Sequence, residues 1–274
     1  MKKAVSILLS VVLGAVLLTG CGAKKTASVG NSVKLDAPLK VGVTAGPHEQ
    51  VAEKVKEVAK AKGLNVELVV FNDYVQPNKQ LFEKQIDVNI YQHEPYLIKF
   101  NEDQKMNLVK VASAVNFPMG AYSQKIKSLD ELKQGDKVSI PNDPTNEARA
   151  LILLEAAKVI KLKEGVGVKA TLQDIAENPK KIKFIELEAA MVPRSLSEVA
   201  AAAINTNFAM EAKLNPVKDS IFIEPKDSPW VNIIVARPDN KDDERIKKLV
   251  EAYQSQEIKK FIDETFKGSV ITAF

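Results

Sequence analysis

The chain has 274 residues, of which 45% are apolar and 27% charged, with 39 Lys+Arg against 35 Asp+Glu. That suits one two-lobed globule or two modest domains, and the small basic excess is scattered, with no long like-charge run of the kind that binds nucleic acid. A single cysteine, Cys21, rules out an intramolecular disulfide, and the two histidines, His48 and His93, make no recognisable metal-ligand set.

The N-terminus carries Lys2 and Lys3 and then an uncharged apolar run from Ala4 to Leu18. At about 15 residues the run is shorter than the roughly 20 that span a bilayer as a helix, so it reads as a cleaved export signal. Leu18-Thr19-Gly20-Cys21 resembles a bacterial lipobox, which implies removal of residues 1–20 and acylation of Cys21. Without Lys2 and Lys3 the formal charge falls to near +2. Residues 22–37 are rich in Gly, Ala, Ser, Lys and Asn without apolar periodicity, so 21–37 is expected to be a lipidated flexible tether. Random-coil scaling gives it a reach of about 20 Å. The globule is expected to begin at Pro38.

LKVGVTAG (39–46) predicts a strand closing on Gly46-Pro47, and EQVAEKVKEVAKAKG (49–63) a helix stopped by Gly63. NVELVVF (65–71) predicts a strand, PNKQLFEKQ (77–85) a helix, DVNIYQ (87–92) a strand and HEPYLIKFNEDQ (93–104) a helix with Pro95 in its first turn. The later half repeats the alternation: a strand at 137–142, a helix from Pro144 to about Ile160, KIKFIEL (181–187), PRSLSEV (193–199), AAAAIN (200–205) and NFAMEAKL (207–214). Strands follow at 220–225 and 230–237, and a long amphipathic helix is expected from near Asp242. Such alternation argues for an α/β fold built on mainly parallel sheets, in two halves with a ligand cleft between them. Phe117–Ser123 and Ser228–Asn232 are the natural crossings, which gives one lobe of 38–118 plus 231–274 and another of 119–230.

The strongest local signal for chemistry is PNDPTNEARALILLE (141–155). A strand ends, Asn142 or Asp143 caps, Pro144 takes the first helical position and Arg149 falls in the second turn. Free N–H groups, the positive end of the helix dipole and the Arg149 fork together suit a carboxylate. Asn146, three residues before Arg149, shares its face. The same residues fit equally a well-capped helix with a surface arginine. Tyr74, Tyr91, His93 and Tyr96 follow two consecutive strands and could line an apolar slot with polar rims, or simply join a core. Asn205, Asn207 and Asn232 close strands; each suits a turn or cap, and with Arg149 they supply what an amino-acid headgroup requires. Hydrolase, metalloprotease and phosphate-loop motifs are missing, and the ELEAA carboxylates (186–190) fit a solvated strand face as readily as an acid–base pair. A binding protein is expected, not an enzyme, with no metal or cofactor.

Taken together, VGVTAG, FNDYVQPN, DVNIYQHEPYL, PMGAYS, VSIPNDPTNEARALILLE, ELEA, PRSL, INTNFA and SPWVNIIVAR resemble the methionine-binding lipoprotein (NlpA) family, from about Leu39 to the C-terminus. The resemblance implies a two-lobed periplasmic-binding-protein fold. It implies a monomeric, lipid-anchored substrate-binding component that delivers methionine to the membrane subunits of an ABC importer. It places Arg149 on the ligand carboxylate with help from Asn146, and Asn205 and Asn232 on the ammonium and other backbone polar groups. Tyr74, Tyr91, His93 and Tyr96 would surround the thioether; the family often has Phe in place of Tyr91. Asn207 stays outside the implied set. The ligand is open between L-methionine, D-methionine, a related amino acid and a methionine-containing dipeptide. A surface adhesion or antigenic lipoprotein is the alternative role.

Overall fold

The computed structural model describes residues 37–225 and 228–274; the leader, Cys21 and the tether up to residue 36 lie outside the described residues. The first stretch runs β1 (Leu39–Thr44), α1 (Pro47–Ala61), β2 (Val66–Phe71), α2 (Gln76–Phe82), β3 (Val88–His93), α3 (Glu94–Gln104) and β4 (Val109–Asn116). After residues 117–119 come β5 (Gly120–Tyr122), β6 (Lys137–Pro141), α4 (Pro144–Ala156), a short hairpin of β7 (Lys161–Leu162) and β8 (Ile175–Glu177), and β9 (Lys183–Leu187). A 3-10 run at Ala189–Ser197 leads into β10 (Ala201–Ile204), α5 (Thr206–Glu211), α6 (Pro216–Asp219) and β11 (Ser220–Ile223). The chain then returns as β12 (Val231–Ala236), α7 (Glu244–Tyr253), α8 (Gln256–Phe266) and β13 (Ile271–Thr272).

These strands make two mixed sheets, ordered β13-β4-β12-β3-β1-β2 and β11-β5-β10-β6-β9. The parallel centre expected from the alternation is present as β2-β1-β3 in one sheet and β10-β6-β9 in the other. The antiparallel partners are strands at or next to the two crossings, β4 and β12 on one side and β5 and β11 on the other.

β1 and β3 are buried along almost their whole length because helices cover both faces. Val51, Val55 and Val58 of α1 lie at helical spacing and pack with Val41 and Val43 of β1, and with Ile246, Leu249, Ile258 and Ile262 from α7 and α8. In the second sheet, Val138 and Ile140 of β6 pack with Ala150, Leu151 and Leu154 of α4.

The single helix expected beyond Asp242 is two. Gln254 closes α7, and the Ser255 hydroxyl then caps α8 by accepting from the Ile258 N–H, so the amphipathic period continues across a bend. The strand β4 was not read from the sequence, because VKVASAVN is half exposed and lacks clean alternation. No helix among the described residues is long and apolar enough to cross a membrane.

Leu151 is completely buried in the second core. Leu151→Ala is expected to lower unfolding stability by about 2–5 kcal/mol, read as a lower urea midpoint at unchanged slope.

Candidate functional site

The segments after β1, β2, β3, β4, β6 and β10 and the first residues of β12 converge on one cavity, narrow enough that only about 20 Å³ of it admits the centre of a water-sized sphere. All eight predicted residues line it: Tyr74, Tyr91, His93, Tyr96, Asn146, Arg149, Asn205 and Asn232. His48, Gln92, Phe117, Thr206 and Asn207 line it too and were not predicted as contacts.

The helix α4 begins as its sequence indicates, with Pro144 in the first turn. Of the two candidate caps, Asp143 is the one used: its carboxylate accepts from the Asn146 N–H at 3.0 Å. One and a half turns on, Arg149 is buried rather than at the surface. Its Nε and Nη2 donate to the two carboxylate oxygens of Glu224 at 2.8 and 2.6 Å, and Nη2 also donates to the Phe117 carbonyl at 2.8 Å. The guanidinium carbon lies 5.3 Å from the centroid of the Trp230 ring. Nη1 takes no part in these bonds and remains for the cavity.

Asn146 is saturated by its neighbours. Its Nδ2 donates to both Asp143 oxygens at 3.0 Å, and its Oδ1 accepts from Asn205 Nδ2 at 2.8 Å and from His93 Nε2 at 3.3 Å. The His93 tautomer follows from the backbone: Nδ1 accepts from the Tyr96 N–H at 3.2 Å, so the proton sits on Nε2. The amide that the resemblance puts beside the ligand carboxylate therefore serves to orient Asn205. The Oδ1 of Asn205 is left buried without a partner.

Asn232 is fixed in the same manner. Its Nδ2 donates to the Tyr91 carbonyl at 3.2 Å and approaches His48 Nε2 at 2.7 Å, so Nε2 accepts. The His48 proton then lies on Nδ1, facing the Thr44 hydroxyl at 2.8 Å. Asn232 Oδ1 has no hydrogen-bond partner among the described residues. Asn207 accepts from the Tyr74 hydroxyl at 2.6 Å, and its Nδ2 is buried and unpaired. The polar wall thus offers two acceptors, Asn205 Oδ1 and Asn232 Oδ1, and two donors, Arg149 Nη1 and Asn207 Nδ2.

The opposite wall is aromatic. Tyr91 and Tyr96 both donate their hydroxyls to the Tyr74 carbonyl, at 2.7 and 3.0 Å. With all three phenols spent on protein acceptors, the rings present their faces, with centroids about 6 Å apart. Burial pushes the three phenols well above their usual range, so they stay neutral. Burial, reinforced by the charge of Arg149, lowers His93 to about 3, and burial alone brings His48 to about 3. Burial also raises the Asp143 carboxyl, against the bonds it accepts from Asn146.

The NlpA lipoprotein family model matches residues 39–274, nearly the whole of the described chain. The chain belongs to the NlpA lipoprotein family. It is 48% identical over 266 residues to the D-methionine-binding lipoprotein MetQ of Yersinia pestis, covering 96% of this chain and 95% of that one. It is 50% identical over 234 residues to outer membrane lipoprotein 3 of Mannheimia haemolytica, covering 85% and 89%. Among solved structures, a nutrient-binding protein from Burkholderia cenocepacia bound to methionine superposes with a TM-score of 0.84 at 50% identity, over 86% of this chain and all of that one. The expected fold is borne out at this level: the family member has the two-lobed architecture of periplasmic substrate-binding proteins.

Of the five lining residues not predicted as contacts, three have separable reasons. His48 follows Gly46-Pro47 directly and opens α1, a position that signals a ligand-facing helix start. Asn207 is one of two amides within three residues, and only the bend into α5 decides which way each points. Phe117 lies in a crossing segment with no periodicity to interpret.

Both histidines have native pKa values below their unfolded ones, so the unfolded chain binds more protons between about pH 3 and 6.5. Their share of stability is complete above about pH 6.5 and is lost as pH falls toward 3, while the raised Asp143 carboxyl acts in the opposite sense. Comparing wild type with His93→Gln by urea unfolding isolates one histidine. The variant is expected to have a pH slope shallower by up to about 1.4 kcal/mol per pH unit over that window.

Proposed function

We propose that this chain captures methionine outside the cytoplasm and hands it to an ABC importer, held at the membrane by lipid on Cys21. The observation that carries the reading is a polar wall with a buried unpartnered acceptor, Asn205 Oδ1, and a buried unpartnered donor, Asn207 Nδ2, together with Asn232 Oδ1 and Arg149 Nη1, beside three neutral tyrosines. An α-amino acid in zwitterionic form matches the first set. Its carboxylate meets Arg149 Nη1 and Asn207 Nδ2, and its ammonium meets Asn205 Oδ1 and Asn232 Oδ1. A thioether fits the second: burying such a side chain is worth about 1.5–3 kcal/mol, and sulfur–aromatic contacts add about 0.3–1.5 kcal/mol. The printed names of the MetQ relatives and the methionine-bound structural relative support the same ligand.

In this reading residues 38–118 with 231–274 form one lobe and 119–230 the other, and closure encloses the ligand. Methionine enters and leaves chemically unchanged, so the role requires no catalytic group. The protein works as a monomer facing the periplasm or cell exterior, docked in its closed form on the importer's membrane subunits. D-methionine is the second ligand to consider, because several relatives carry it in their names. A dipeptide would need space beyond the ammonium, where Asn205 is tied to Asn146.

Calorimetry on ligand-stripped protein is expected to show one-to-one binding of methionine, with both enantiomers compared. Asn205→Ala should weaken it about ten- to a hundredfold, the cost of an ammonium bond lost in a buried site. Absence of binding across the amino acids would overturn the reading. In cells, Cys21→Ser is expected to move the protein from the membrane fraction to the soluble fraction.

A further inference from the structure

Glu224 does not line the cavity, yet it fixes the charge that does. Its side chain is only 6% exposed and accepts from Nε and Nη2 of Arg149 in a two-pronged pair. The carboxylate is itself held: Oε2 accepts from the Met119 N–H at 2.8 Å, and the Glu224 N–H donates to the Met119 carbonyl at 3.0 Å. Both anchors lie in or beside the segments that cross between the sheets.

We infer that Glu224 is a specificity-determining positioning residue that makes the cavity select a zwitterion over a simple carboxylate anion. The inference rests on the reading of the cavity as an amino-acid site. Among the lining residues Arg149 alone carries charge, because His48 and His93 are held neutral. Glu224 offsets that charge from behind, and the Asp143 carboxylate that holds Asn146 adds a further negative charge beside the cavity, so the site has no net positive charge to attract an anion. A carboxylate reaching Nη1 gains the local hydrogen bond but also meets the field of the Glu224 carboxylate behind the same guanidinium. An ammonium on the same ligand compensates, and it pairs Asn205 Oδ1 and Asn232 Oδ1, which an anion would leave unpaired.

The test compares methionine with its analogue lacking the amino group and its analogue lacking the carboxylate, by calorimetry on the full chain. In wild type both singly charged analogues are expected to bind at least about a hundredfold more weakly than methionine, since each leaves buried polar groups unpaired. Glu224→Gln keeps the shape and removes the charge. The preference for methionine over the deaminated anion should then narrow by at least about tenfold, while Glu224→Asp, which keeps the charge, should retain it. A role confined to holding the fold would lower both affinities together and leave that ratio unmoved, which would overturn the inference. Should Glu224→Gln fail to fold by circular dichroism, wild type still decides: a deaminated anion binding within about threefold of methionine sinks the proposal. Failure of wild type to bind any amino acid would instead defeat the functional reading itself.

Discussion

A buried guanidinium must find acceptors for its donors, and Arg149 finds them in the two segments that join the sheets. The Phe117 carbonyl belongs to the first crossing, Glu224 opens the second, and Trp230 closes it with its ring near the cation. Thr206, at the start of α5, adds a hydroxyl bond to the Pro118 carbonyl in the same region. Breaking one partner of such a buried pair costs about 3–5 kcal/mol, so the arrangement is strongly determined. The charge at the centre of the cavity is thereby attached to the two segments that join the sheets.

The bonds farther from those crossings are of another kind. His93 to Asn146 and Tyr74 to Asn207 each join a residue of the first sheet's connections to one from the second. They are single neutral hydrogen bonds, worth about 0.5–1.5 kcal/mol each. The network Asp143–Asn146–Asn205 is anchored to the N-terminus of α4, which fixes the direction of the Asn205 amide.

The elements between 39 and 104 were legible because apolar residues repeat with strand and helix periods and Gly46, Gly63 and Pro95 punctuate them. The strands β4 and β5 were not, since one is half exposed and the other is three residues long. Arg149 was legible as a candidate from the Asp143-Pro144 start of its helix. Its partner was not, because Glu224 lies 75 residues away and no local pattern links the two. Asn146 was found for its place on the helix face, whereas its work in orienting Asn205 depends on His93 and Asp143 converging from different elements. Sequence spacing gives which residues share a face; the direction of each amide is a property of the assembled fold.

The polar wall is made mostly of amides, with Asn146, Asn205, Asn207 and Asn232 carrying no charge and Arg149 compensated by Glu224. Dipoles and a paired, buried ion are screened little by dissolved electrolyte, in contrast with exposed charges farther apart than a Debye length. A capture protein built in this way owes little of its grip to long-range attraction. Its hold on a zwitterionic ligand would therefore change little with the ionic strength of the surrounding solution.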